Sequence, residues 1–128
     1  REITQEPAIL VVDDDPGAHE AAERILTPLG LPILHAEDGY EALHLLTKNP
    51  LIALVVLDLN MPGQPGEKTL SELREPFPAL PVIVCTGQSL EEAEDRLKDK
   101  RPDLILTKPY QPSHLLRAAS TFLDDLGF

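Results

Sequence analysis

The sequence predicts an α/β fold, a three-layer, doubly wound (βα)5 sandwich around a five-stranded parallel sheet in the order 2-1-3-4-5. Three observations predict it. Five short apolar runs recur and are continuous rather than alternating, as in strands covered on both faces. Segments with helical spacing separate them, and the strand starts lie roughly 20 to 30 residues apart, the length of one strand-plus-crossover unit.

The elements follow in order. "AILVV" (8–12) is the first strand. Asp15 then caps a helix that opens at Pro16, carries Ala18, Ala22, Ile25 and Leu29 on one face and closes at Gly30. "LPILH" (31–35) is the second strand, and after "EDG" (37–39) a helix carries Ala42, Leu43 and Leu46. "LIALVVL" (51–57) is the third strand; "GEKTLSELRE" (66–75) follows as a helix with Leu70 and Leu73, stopped by Pro76. "LPVIVC" (80–85) is the fourth strand, with Pro81 at its start, where no ladder donor is needed. The fourth helix, in "SLEEAEDRLKDK" (89–100), is the most polar, with only Leu90, Ala93 and Leu97 to bury. "DLIL" (103–106) is the fifth strand, and Pro112 opens a last helix bearing Leu115, Leu116, Ala119, Phe122, Leu123 and Leu126.

The bulk numbers fit one domain, with a tail over 1–6 and the folded unit over 7–126. The chain has 128 residues, 42% apolar and 26% charged, and no run approaches a membrane span. Its opening, "REITQEP", is polar, without the features of a signal peptide and without Met, which suggests a piece of a longer protein or a processed chain. The single Cys85 sits in an apolar run, reads as a buried inert thiol and fits a reducing, cytoplasmic setting. A net charge of −11 disfavours direct contact with nucleic acid or an anionic membrane.

Side chains just past the carboxyl ends of parallel strands converge in one crevice. Here those positions are Asp13, Asp14 and Asp15; His35, Ala36 and Glu37; Asp58; Thr86 and Gly87; and Thr107, Lys108 and Pro109. With the first and third strands adjacent, Asp13, Asp14 and Asp58 crowd together. Such carboxylates stay ionised only if a cation joins them, and oxygen-only ligands select Mg²⁺ before Zn²⁺. Lys108 and Thr86 add a point charge and a hydroxyl donor, so the set suits phosphoryl transfer with an Asp carboxylate as acceptor.

At this point the sequence resembles the receiver domain of bacterial two-component response regulators, a flavodoxin-like fold. "ILVVDDDP", "VVLDLNMPGQPG", "VIVCTG" and "LTKPY" carry the resemblance, in the family's order and one per strand end. It implies that Asp58 is the phospho-acceptor and that Asp13, Asp14, Asp58 and the backbone carbonyl of Asn60 hold Mg²⁺. Asp14 would ligate the ion directly and Asp13 largely through water. Thr86 and Lys108 would bond the phosphoryl oxygens, and the Lys108–Pro109 bond would be cis. The Asn60 and Gln88 side chains would flank the site and tune dephosphorylation, and Gly87 would leave room for the donor. Ile105 stands where the family often has a Tyr or Phe, so signalling would travel through backbone shifts and aliphatic repacking. The segment before it, "KDKRPD", lacks the family's frequent Gly-Ala pair. The implied donor is a histidine kinase or phosphotransfer domain; the output protein is not specified and a homodimer is left open. With no output domain after Phe128, the chain reads as a single-domain regulator or a receiver cut from a longer protein. Its opening and "CTGQS" are similar to receivers joined to hybrid histidine kinases.

Three other readings stand beside this one. A haloacid-dehalogenase-type phosphatase also uses an Asp nucleophile and Mg²⁺, but it wants Thr or Val two residues after its second Asp, where this chain has Gly17. A flavodoxin-like cofactor binder needs hydroxyl and Gly donors after the first strand, where three aspartates would repel a phosphate. A degenerate receiver, acting only as an interaction module, would lack chemical residues that are all present here. His19, His35, His44 and His114 have no ligand spacing and read as surface or partly buried structural residues.

Overall fold

The computed structural model describes residues 6–61 and 64–127. All of the expected tail except Glu6, together with Pro62, Gly63 and Phe128, lies outside the described residues. Strands β1 (Ala8–Val12), β2 (Ile33–Ala36), β3 (Ile52–Asp58), β4 (Val82–Thr86) and β5 (Leu104–Thr107) alternate with helices α1 (Pro16–Leu26), α2 (Gly39–Lys48), α3 (Gly66–Arg74), α4 (Leu90–Leu97) and α5 (Pro112–Asp125). All pairings are parallel, in the order β2-β1-β3-β4-β5, as expected.

The continuous apolar runs feed two cores. Alternate residues of a strand point to opposite faces. Leu10, Val12, Val55, Leu57, Val82 and Val84 therefore pack under α2, α3 and α4, against Leu45, Leu46, Leu70, Leu73 and Leu97. Ile9, Val11, Leu54, Val56, Ile83 and Cys85 pack under α1 and α5, against Leu26, Leu115, Ala119 and Leu123. The Cys85 thiol is pushed up to about 12 by burial, consistent with an inert side chain.

The differences from expectation lie at edges and ends. β2 and β5 are mostly half-buried, because each has a neighbour on one side only. α1 stops at Leu26 and tightens into a 3₁₀ turn over Thr27–Leu29 before Gly30, at φ 77°, reverses the chain. In α2 the buried stripe is Ala42, Leu45 and Leu46, with Leu43 only packed against the rim. α5 ends before Leu126, which is exposed, and so is Leu90 at the start of α4. α4 thus rests on the core through Ala93 and Leu97 alone.

Candidate functional site

Three strand ends build the site. At the end of β1 the chain leaves through Asp13, whose carboxylate accepts the Asp15 N–H at 3.0 Å, while Asp15 accepts the Gly17 N–H at 3.1 Å and caps α1. Asp58 is the last residue of β3 and buried; its Oδ1 accepts the Asn60 N–H at 3.2 Å. Asp13 is also buried, whereas Asp14 faces solvent. Lys108, just past β5, brings Nζ to 3.5 Å from Asp58 and 3.8 Å from Asp13. The Lys108–Pro109 peptide is cis.

Asp13, Asp14 and Asp58 each offer an oxygen within 4.8 Å of the others. Three carboxylates around one ammonium leave excess negative charge, and the donors are all hard oxygens, so the cluster is suited to a divalent cation. The Asp13 carboxyl is raised above the usual carboxylate range, first by burial and further by the charges of Asp58 and Asp14; the Asp15 N–H and Lys108 oppose this.

A raised acid destabilises the fold once it ionises. The penalty is present above its folded pKa and absent below the unfolded value of 3.8. In EDTA, Asp13→Asn is therefore expected to melt above wild type at pH 7, with the gap closing as pH falls toward 4. With excess divalent cation the order should reverse, because the variant has lost a ligand. Paired melting curves check both; equal melting at pH 7 in EDTA would show that ionised Asp13 carries no penalty.

Thr86 ends β4 fully buried, and its Oγ1 accepts from Asn60 Nδ2 at 3.1 Å and from the Gln88 N–H at 3.0 Å. A Cβ on Gly87 would meet only Asn60 Nδ2, at 3.8 Å, so the space above β4 is open. Ile105, on β5 opposite Val84, is half-buried and lies against the α2–α4 core, in a groove that Leu90 and Leu97 also line. The expected site residues at the ends of β1, β3 and β5 thus meet, with Thr86 and Asn60 beside them and Ile105 off to one side.

Two groupings escaped sequence reasoning. His19 Nε2 lies 2.6 Å from the Asp13 carbonyl, its Nδ1 lies 2.7 Å from His35 Nδ1, and His35 Nε2 lies 2.7 Å from Glu23. His19, His35 and Glu23 form a chain of contacts behind Asp13; the signal was a His in the first turn of α1 and another one residue before the end of β2. The second grouping is Arg96 with Glu67, which no spacing rule links across 29 residues.

A family model described as the response regulator receiver domain matches residues 9–120. The chain is 37% identical over 116 residues to the sensor histidine kinase RcsC of Salmonella typhi, covering 91% of this chain and 12% of that protein. It is 37% identical over 108 residues to the response regulator MprA of a Mycobacterium species, covering 84% of this chain and 46% of that one. The chain therefore spans only a minor part of these relatives. Among solved structures, the receiver domain of the Francisella response regulator 1452 superposes with a TM-score of 0.83 at 30% identity, over 94% of this chain and 99% of that one. A CheY-like receiver domain protein from Methanospirillum hungatei gives 0.84 at 25% identity, over 94% and 96%.

Proposed function

The chain belongs to the response regulator receiver domain family of two-component signalling, and on that premise we propose that it accepts a phosphoryl group on Asp58 from a phosphohistidine. The observation that carries this is the meeting of Asp58, Asp13, Asp14 and Lys108 at the carboxyl ends of three strands. An Asp58 oxygen attacks phosphorus, the phosphorus–nitrogen bond breaks, and the imidazole nitrogen keeps the electron pair and takes a proton. Lys108 pairs with a phosphoryl oxygen, and the Thr86 hydroxyl donates to another. Asp13, Asp14, Asp58 and the Asn60 carbonyl would hold Mg²⁺, which would supply charge neutralisation to the transferring group. The domain acts on itself rather than on a turned-over substrate, and its modified state biases a conformational equilibrium read by a partner.

The kinship with a sensor histidine kinase and a response regulator supports a histidine kinase or phosphotransfer domain as the donor. No helix among the described residues is long and apolar enough to cross a membrane. The proposed exchange with a histidine kinase or phosphotransfer domain implies a cytoplasmic site of action. With Ile105 in place of an aromatic, the signal passes through the β4–β5 backbone and the aliphatic packing under α4.

The test is intact mass after incubation with a small acyl phosphate. A gain of about 80 Da, one phosphoryl group, is expected with Mg²⁺ and not with EDTA, and Asp58→Asn should show none. Steady hydrolysis of phosphate esters with no mass gain would overturn the proposal in favour of a phosphatase.

A further inference from the structure

Arg96 occupies a position that the phosphoryl chemistry above does not use. Its guanidinium grips Glu67 with two nitrogens, Nη2 to Oε1 at 2.5 Å and Nε to Oε2 at 3.2 Å. The remaining nitrogen, Nη1, reaches Gln88 Oε1 at 2.5 Å and Asn60 Oδ1 at 3.4 Å. One side chain on α4 therefore ties the first turn of α3 to the two polar residues that flank Asp58. The grip extends one step further, because the Asn60 carboxamide held by Arg96 through its oxygen donates through Nδ2 to Thr86 Oγ1.

Two independent features give this arrangement a direction. Thr86 Oγ1 is held by Asn60 and by the Gln88 N–H, whereas the hydrogen bond and ion pair on Asp58 Oδ1 come from Asn60 N–H and Lys108. For Thr86 to serve a phosphoryl group on Asp58, that hold must loosen. Meanwhile α4 has only Ala93 and Leu97 buried, so its apolar footing is small and the Arg96 contacts add to it. The Arg96–Glu67 contact is substantial enough that the Glu67 carboxyl is held below its usual range, chiefly by the hydrogen bond from Arg96.

We propose that Arg96 is a positioning residue, a latch that holds α4, Asn60 and the Thr86 hydroxyl in the unphosphorylated arrangement and opens when Asp58 is modified. The proposal rests on Asp58 as the phospho-acceptor and adds the element that restrains the response. A planar fork is required, since only a guanidinium can hold a carboxylate with two nitrogens and two amide oxygens with the third.

The experiment compares wild type with Arg96→Gln, Arg96→Lys, Glu67→Gln and the Arg96→Gln/Glu67→Gln double variant. Phosphoryl uptake from a small acyl phosphate with Mg²⁺ is followed by intact mass, and amide exchange of α4 is measured before and after modification. Release of the latch should raise the uptake rate of Arg96→Gln about three- to tenfold, the scale of one charge-assisted bond. Amides of Ala93–Leu97 should exchange faster than in wild type before modification and equally after it. Glu67→Gln should act in the same direction, and the double variant should add little. Arg96→Lys should resemble Arg96→Gln, which separates geometry from charge. Slower uptake would show that Arg96 recruits the donor, and unchanged α4 exchange would show that it restrains nothing; either overturns the latch. If wild type gains no mass, the reading of Asp58 fails, and α4 exchange in the unmodified proteins still decides whether Arg96 holds the helix.

Discussion

Lys108→Met should bind Mg²⁺ at least as tightly as wild type and yet take up a phosphoryl group about a hundredfold or more slowly. The two effects have opposite signs because Lys108 has two relationships at the site. Its ammonium lies 3.5 Å from Asp58 and 3.8 Å from Asp13, so in the metal-free protein it competes for the same carboxylates that a cation would occupy. Removing it strengthens the field that attracts a divalent ion. In the proposed reaction the same ammonium would serve as the point charge for a transferring phosphoryl oxygen. Loss of one preorganised electrostatic partner typically costs about a hundred- to a thousandfold in rate. Titration calorimetry with Mg²⁺ and a mass time course with an acyl phosphate separate the two. Weaker Mg²⁺ binding would mean that Lys108 holds the carboxylates in place rather than competing for them. Unchanged uptake would remove it from the reaction.

Much of this site was legible because it depends on where strands end. An apolar run long enough to be a buried strand must stop, and in a parallel sheet it stops at the same edge as its neighbours. Reading Asp13, Asp58, Thr86 and Lys108 as one group needed only the strand order, and the register places Asp58 opposite Cys85 and Thr86 opposite Thr107. What was not legible depends on side-chain reach between helices. The choice between Leu43 and Leu45 in α2 turns on a rotation that helical periodicity alone does not set, and the helix settles with Leu45 inward. The contact between His19 and His35 depends on two rings meeting edge to face with centroids 4.6 Å apart, which no spacing encodes. Arg96 sits in the helix read as the most polar, where Glu91, Glu94 and Asp95 are exposed while Arg96 turns inward toward Glu67. The extent of β2 and β5 was likewise blurred, since a strand with one neighbour has a weaker apolar signature than a central one.

Gly66→Ala should lower stability by about 2 to 4 kcal/mol and slow phosphoryl uptake as well, although Gly66 touches none of the reacting atoms. Gly66 is the first residue of α3 and is buried. A Cβ there would stand 2.5 Å from the Leu59 carbonyl oxygen and 2.7 Å from the Leu59 Cα, distances at which something must move. Both atoms are backbone, so no rotamer change relieves the clash. Leu59 itself is anchored, buried to 1% exposure with its N–H donating to the Cys85 carbonyl at 2.8 Å. One of two displacements follows. If α3 lifts away, Leu70 and Leu73 lose packing in the larger core. If Leu59 yields, Asp58 and Asn60 on its two sides move with it, and the proposed acceptor leaves its place beside Lys108. Gly17→Ala is the matched control: it lies in α1, its Cβ would meet nothing nearer than the Asp15 carboxylate at 3.5 Å, and it should stabilise slightly by helix propensity. Urea midpoints at constant slope, read alongside the uptake rate, test the pair. Wild-type stability in Gly66→Ala would show that the α3 start can slide along the chain beyond β3 without penalty, and that the loop after Asp58 is held by other contacts.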